Sequence, residues 1–152
     1  MPSLQRILVP TDLSRCSTLA LAKAGDFASA FGASIDLLHV WSVPALAAPE
    51  SVLTGVAGNE QPLLELMRRS ATEQLAKFEA EAKRAGIEIR SALCDAGEPA
   101  TVILERAASG NYDLLVLGTH GRAGLSHLLL GSVAEKVVRR SPCAVLTVRQ
   151  LD

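Results

Sequence analysis

No apolar run in this chain approaches the roughly 20 residues that a helix needs to cross a bilayer, so a membrane-spanning reading has no support. Charge of one sign is also missing: 15 Lys and Arg against 16 Asp and Glu leave a net charge of −1, which provides no broad basic footprint for nucleic acid. Aromatic residues make up 3% of the chain, so its core has to be built from Ala, Leu, Val and Ile. The three cysteines, Cys16, Cys94 and Cys143, are odd in number and far apart, without the spacing of a zinc site or a redox CxxC; they are expected to be reduced packing residues. Met1-Pro2-Ser3-Leu4 leads almost at once into a strand-like run, leaving no room for a signal peptide, and a cytoplasmic protein is expected. Two nucleotide motifs are absent as well. Without G-x-x-x-x-G-K-[ST] a P-loop enzyme is disfavoured, and without G-x-G-x-x-G after the first strand so is a dinucleotide dehydrogenase. A phospho-receiver domain would need clustered acids after its first strand and an acceptor aspartate after its third; here Asp12 stands by itself and Asp95 lacks that setting.

What the chain does have is a regular switch between short aliphatic runs and longer helical patterns, the signature of a βαβ series, over a length suited to a single domain of residues 1–152. Strands are expected at Leu4 to Val9, Ser34 to Val40, Ile87 to Leu93, Asp113 to Leu117 and Ala144 to Arg149. Helices are expected from Ser17 to Phe31, Pro62 to Ala85, Pro99 to Gly110, and Ser132 to just before Pro142. Consecutive apolar positions within the strands point to a parallel sheet covered on both faces, an α/β fold. The stripe Leu64, Met67, Ala71, Leu75, Phe78 and Ala82 reads as core packing. Residues 41–61 carry Pro44, Pro49, Gly55 and Gly58 without periodicity; they read either as a flap over a site or as a surface loop.

Chemistry concentrates where the fourth strand ends. Gly118-Thr119-His120-Gly121 follows the run Leu114-Leu115-Val116-Leu117, and Gly131-Ser132 opens the last helix. Glycine admits positive φ and close backbone approach, successive N–H groups in such a turn converge on an anion, and the helix start adds unpaired N–H groups and a positive dipole end. A di- or triphosphate suits that arrangement. Asp12, in Pro10-Thr11-Asp12-Leu13-Ser14, falls at the same sheet edge and has two readings: acceptor for a ribose, or, with Ser14, a turn and helix cap. Arg122 reads as a phosphate clamp or as a solvated loop cation, His120 as a backbone or phosphate contact, and His127 as a surface or helix-start residue. His39 lies on a strand, no carboxylate is spaced to join the histidines, and no metal site is expected.

The segments VPTDLS and LLVLGTHGRAGLSHLLLGSVAEKVVRRSPCAVLTV, with the element succession between them, resemble the universal stress protein family along essentially the whole chain. The G-x2-G-x9-G-[ST] pattern of its nucleotide-binding branch is complete in Gly118, Gly121, Gly131 and Ser132. The resemblance implies an open, twisted, Rossmann-like parallel sheet of order 3-2-1-4-5. It also implies ATP at the carboxyl edge of strands one and four, with any Mg²⁺ carried by the phosphates. By the same resemblance, ribose lies on Asp12 and adenine against Pro10, Thr11, Val40 and Leu117. Phosphates lie over Gly118 to Gly121 and Gly131 to Val133, and a homodimer forms through Ala144 to Arg149. The function expected is that of an ATP-binding regulatory module in the stress response, without catalytic residues. The alternatives are a slow Mg-dependent ATPase or phosphotransferase using Asp12 or His120, and a binder of AMP or cyclic AMP.

Overall fold

The computed structural model describes residues 3–45, 52–54, 60–120 and 130–150. Along the chain run β1 (Arg6–Thr11), α1 (Arg15–Phe31), β2 (Ser34–Trp41), β3 (Val52–Thr54), β4 (Glu60–Pro62), α2 (Leu63–Arg84), β5 (Ser91–Ala96), α3 (Pro99–Ser109), β6 (Leu114–Gly118), α4 (Ser132–Arg140) and β7 (Ala144–Val148). The main sheet has the order β5-β2-β1-β6-β7 with every pairing parallel, which is 3-2-1-4-5 when its five strands are counted alone. The strands β3 and β4 form a short antiparallel pair inside the segment expected to be irregular. The rest of that segment, residues 46–51 and 55–59, lies outside the described residues, as do Gly121, Arg122 and His127.

Strand alternation divides the apolar side chains between two layers. Ile7, Val9, Ile35, Leu37 and Val116 pack with Ala20, Leu21 and Ala24 of α1 and Leu75, Phe78 and Ala82 of α2. On the other face, Leu8, Leu38, Leu115 and Leu117 pack with Ile103 and Ala107 of α3 and Ala134 and Val137 of α4. Each fully buried Ile or Leu, such as Ile7, Leu8 or Leu38, stabilises the fold by about 1.5–3 kcal/mol.

Differences from the expected boundaries have local causes. The third strand starts at Ser91, not Ile87, because the backbone at Ile87 is still closing α2, its N–H donating to Ala82 O at 3.0 Å. Ile87 and Ile89 nonetheless pack on the core, which is why they read as strand. The fourth begins one residue later than expected, at Leu114; Asp113 just before it closes the start of β1, its N–H donating to Arg6 O at 2.9 Å and its Oδ2 accepting the N–H groups of Gln5 and Arg6 at 2.9 Å each. Helix α1 begins at Arg15, capped by Ser14, whose hydroxyl accepts from Ser17 N. In α2, only Ala71, Leu75, Phe78 and Ala82 of the expected stripe are buried; Leu64 and Met67 are half-buried.

At the amino edge of the sheet the fully buried Asp36 gathers four partners from three segments. Its Oδ1 accepts Ser91 Oγ at 2.7 Å, while Oδ2 accepts Tyr112 Oη at 2.8 Å, Arg6 Nη2 at 3.2 Å and Arg90 Nη2. The Arg6 guanidinium also lies 4.6 Å over the Tyr112 ring. Burial pushes the Asp36 carboxyl up, but bonds from Arg90, Ser91, Tyr112 and Arg6 together hold it below the ordinary 3.8. A native value below the unfolded one stabilises the fold above pH 3.8, and that contribution is lost as pH falls through the native value. Asp36→Ala is expected to cost about 2–3 kcal/mol at pH 7, below the full figure for a broken buried pair because both guanidinium groups reach solvent. In urea unfolding followed from neutral to acid pH, the gap between wild type and Asp36→Asn should narrow below pH 3.8; a pH-independent gap would contradict this assignment.

Candidate functional site

The strand order reverses at β1, which has β2 on one side and β6 on the other, and in α/β sheets such a switch opens a crevice beyond the strand ends. β1 pairs with β2 from Arg6 to Thr11, but its paired positions with β6 are Ile7 and Leu8. Pro10, which has no N–H to donate, lies past the last of these. A cavity of about 390 Å³ occupies the opening. It is bordered by Pro10, Thr11, Asp12, Val40, Leu117, Gly118, His120, Gly131, Ser132 and Val133, so the described residues that the sequence singled out are brought to one place. Thr119, inside the expected stretch Gly118 to Gly121, borders it as well, and Ser17, Leu38, Pro99, Ile103 and Ala134 border it and were not anticipated. Strand period could have supplied Leu38, two residues before Val40, and helix period Ala134, beside Val133.

Main-chain bonds hold the two bends together. Thr119 N–H donates to Val148 O at 3.0 Å, and Gly131 N–H donates back to Thr119 O at 2.7 Å. Gly131 is the N-cap of α4 and supplies no side chain; the first intrahelical bond runs from Glu135 N to Gly131 O, so Ser132, Val133 and Ala134 N–H have no i−4 carbonyl. Of the two properties expected of glycine here, close approach applies, to the chain's own atoms, and positive φ does not. Gly131 has φ −59°, and Gly118 is not among the positive-φ residues, so neither needs left-handed freedom. Both are required by close approach. A Cβ on Gly131 would lie 3.0 Å from the Thr119 carbonyl oxygen, and one on Gly118 would lie 2.6 Å from Cys16 Sγ.

Opposite this bend, Asp12 serves the turn and faces the cavity at once. Its Oδ1 accepts Ser14 N–H at 3.0 Å and the Ser17 hydroxyl at 2.7 Å, while Ser17 Oγ accepts Asp12 N–H at 3.1 Å. Thr11 Oγ1 accepts Leu13 N–H at 3.0 Å, and Leu13 is held at φ 67°, a left-handed conformation costing about 1–3 kcal/mol for such a residue. Of the two readings of Asp12, the turn reading is realised, with the cap itself on Ser14, and the carboxylate still borders the cavity. His120 Nδ1 lies 2.9 Å from Thr119 Oγ1, and its Nε2 is buried without a partner among the described residues. Asp95, at the far edge strand, is held by Arg106 Nε and Nη2 at 2.6 and 2.9 Å. Among the described residues no cluster of three His, Cys, Asp or Glu could hold a metal ion, and no helix is long and apolar enough to cross a membrane.

The packing of Gly118 on Cys16 leads to a direct test. Gly118→Ala should destabilise the fold by about 1–3 kcal/mol, the usual cost of overpacking, and Cys16→Ala in the same chain should recover part of it. Thermal unfolding of the two single variants and the double variant measures this; strictly additive losses would show that the two side chains do not meet.

The family described as "Universal stress protein family" matches residues 3–149. A universal stress protein of Methanocaldococcus jannaschii is 34% identical over 147 residues, covering 96% of this chain and 82% of that one. The solved structure of the universal stress protein UspA from Lactobacillus plantarum superposes with a TM-score of 0.78 at 25% identity, covering 98% of this chain and 100% of the other. A universal stress protein solved in complex with cAMP superposes with a TM-score of 0.63 at 28% identity, covering 98% and 99%. With its fold, its crevice and these similarities in agreement, the chain belongs to the universal stress protein family.

Proposed function

We propose that the crevice binds an adenine nucleotide, ATP before others, and that the protein is a regulatory module of the stress response whose nucleotide favours one state of the molecule. The observation that carries this reading is the meeting, in one cavity, of three helix-start N–H groups, a buried imidazole nitrogen with no partner among the described residues, and a carboxylate across the gap. The N–H groups of Ser132, Val133 and Ala134 suit phosphate oxygens. If the Thr119 hydroxyl donates to His120 Nδ1, then Nε2 carries the ring hydrogen and can donate to the same anion. Asp12 suits ribose hydroxyls, and Val40, Leu117 and Ile103 offer apolar surface to a base. Gly121 and Arg122 belong to the same proposed site by sequence. Mg²⁺, when present, would come with the phosphates and neutralise their charge. No side chain is assigned a catalytic role.

A second ligand is favoured by one finding, the relative solved with cAMP, so cyclic AMP is the competitor to compare with ATP. We also propose that residues 1–152 form one domain and that the molecule pairs through β7. That strand closes one edge of the sheet, with β6 on its inner side, and an exposed row of strand N–H and C=O groups favours such pairing.

Calorimetric titration with ATP, AMP, cyclic AMP and adenosine tests the reading. ATP at about 100 times its Kd should add roughly 2.7 kcal/mol of stability. Asp12→Ala should weaken every nucleoside ligand by about 10- to 100-fold, the worth of a charged hydrogen bond. Gly131→Ala should weaken ATP and leave adenosine unchanged. Adenosine and ATP bound equally well, or no rise in melting temperature with any of the four, would refute the site.

A further inference from the structure

Strand alternation sends Leu38 to the crevice and the next residue, His39, to the opposite face of the sheet. A second space, of about 580 Å³, lies there between the end of β2 and the first turns of α2. Asp12 and Val40 border both spaces, so the two adjoin where β1 and β2 end. Building on the nucleotide reading of the crevice, on which this inference rests, we propose that the site is made for an adenine nucleotide esterified on its ribose, its acyl group lying in the second space with an N–H donor turned to His39.

The place of attachment follows from the ribose. That sugar is the part of the nucleotide assigned to Asp12, so a group on a ribose oxygen starts at the border the two spaces share. Asp12 keeps its own bonds there, Oδ1 accepting Ser14 N–H and the Ser17 hydroxyl, and the acyl group requires nothing from it. His39 sets the polar requirement. It is only 9% exposed, and its Nδ1 lies 2.9 Å from Thr11 O. A carbonyl oxygen only accepts, so Nδ1 carries the hydrogen and Nε2 of the neutral ring is left as an acceptor. That nitrogen has no partner among the described residues, and its ring lines the second space. Hydrocarbon supplies the rest of the wall. Leu66 and the unbranched, polarisable Met67 are half-buried there and suit an aryl or alkyl body of varied shape. The buried face of α2 is made by Ala71, Leu75, Phe78 and Ala82, which leaves Leu66 and Met67 to this wall. Ser70 and Gln74, exposed on the same helix, form its outer rim.

Three ligands test this by calorimetry on the full chain: ATP, 2′/3′-O-benzoyl-ATP, whose ring has no donor, and 2′/3′-O-anthraniloyl-ATP, whose ring carries an amino group. Benzoyl-ATP is expected to bind about tenfold more tightly than ATP, from the apolar area its ring buries. Anthraniloyl-ATP is expected to bind about fivefold more tightly again, the worth of one neutral hydrogen bond. His39→Phe should erase the difference between the two esters and leave ATP unchanged. Ser70→Phe, at an exposed position where the fold is not at stake, should fill the space, weaken both esters by about tenfold and leave ATP unchanged. Esters bound no more tightly than ATP, equal affinity for the two esters, or a Ser70→Phe loss shared by ATP would overturn the proposal while the crevice reading stands. Failure of ATP itself to bind would overturn both. Should His39→Phe fail to fold, the contrast between the esters on the native chain and the Ser70→Phe pattern decide it.

Discussion

The hydrogen bond from Gly131 N–H to Thr119 O, 2.7 Å long, is the constraint on which the carboxyl edge depends. It joins the end of β6 to the start of α4, two points that are not neighbours along the chain. Thr119 is tied on its other side to Val148 O of β7, so one residue links an inner strand, an edge strand and a helix start. The bond requires a residue without Cβ at position 131, because added carbon would press on the very carbonyl that accepts the bond. With it in place, Ala134 and Val137 reach the apolar layer over Leu115 and Leu117, and the first turn of α4 points its free N–H groups into the crevice.

Polar groups are treated oppositely at the two ends of the strands. At the amino end, Asp36 is saturated by Arg6, Arg90, Ser91 and Tyr112, and Asp113 takes two backbone N–H groups. At the carboxyl end, donors and acceptors with no partner among the described residues border cavities: the first amides of α4, His120 Nε2 and His39 Nε2. Saturation serves rigidity and incomplete satisfaction serves binding, a division expected when one sheet must both anchor a fold and present a site. The helix α4 follows the same electrostatic logic, with Glu135 in its first turn and Arg139 and Arg140 in its last.

Much of this was legible from local pattern. Helix ends marked by Phe31-Gly32 and by Pro99, and strands such as Ser34 to Val40, emerged within a residue or two of their expected limits because punctuation and period are short-range properties. Residues bordering the crevice were identifiable for a related reason: they sit at strand ends or in the glycine pattern. What escaped was set by distance along the chain. Asp36 meets Arg6, Arg90 and Tyr112 at separations of 30, 54 and 76 positions, and no window on the sequence joins them. Ile87 and Ile89 imitated a strand because alternation reports burial and not ladder bonding. The reason for glycine at 118 was equally hidden, since it lies in Cys16, on a helix far earlier in the chain.

Pro10 acts on the central strand beyond its own position in it. A β1 with any other residue at position 10 would offer another amide, and β6 could compete with a guest molecule for it. An imino acid removes that rival covalently. The gap between the two strands is therefore a property of the empty molecule, present before any ligand arrives, and a guest has no interstrand bond to break on its way in.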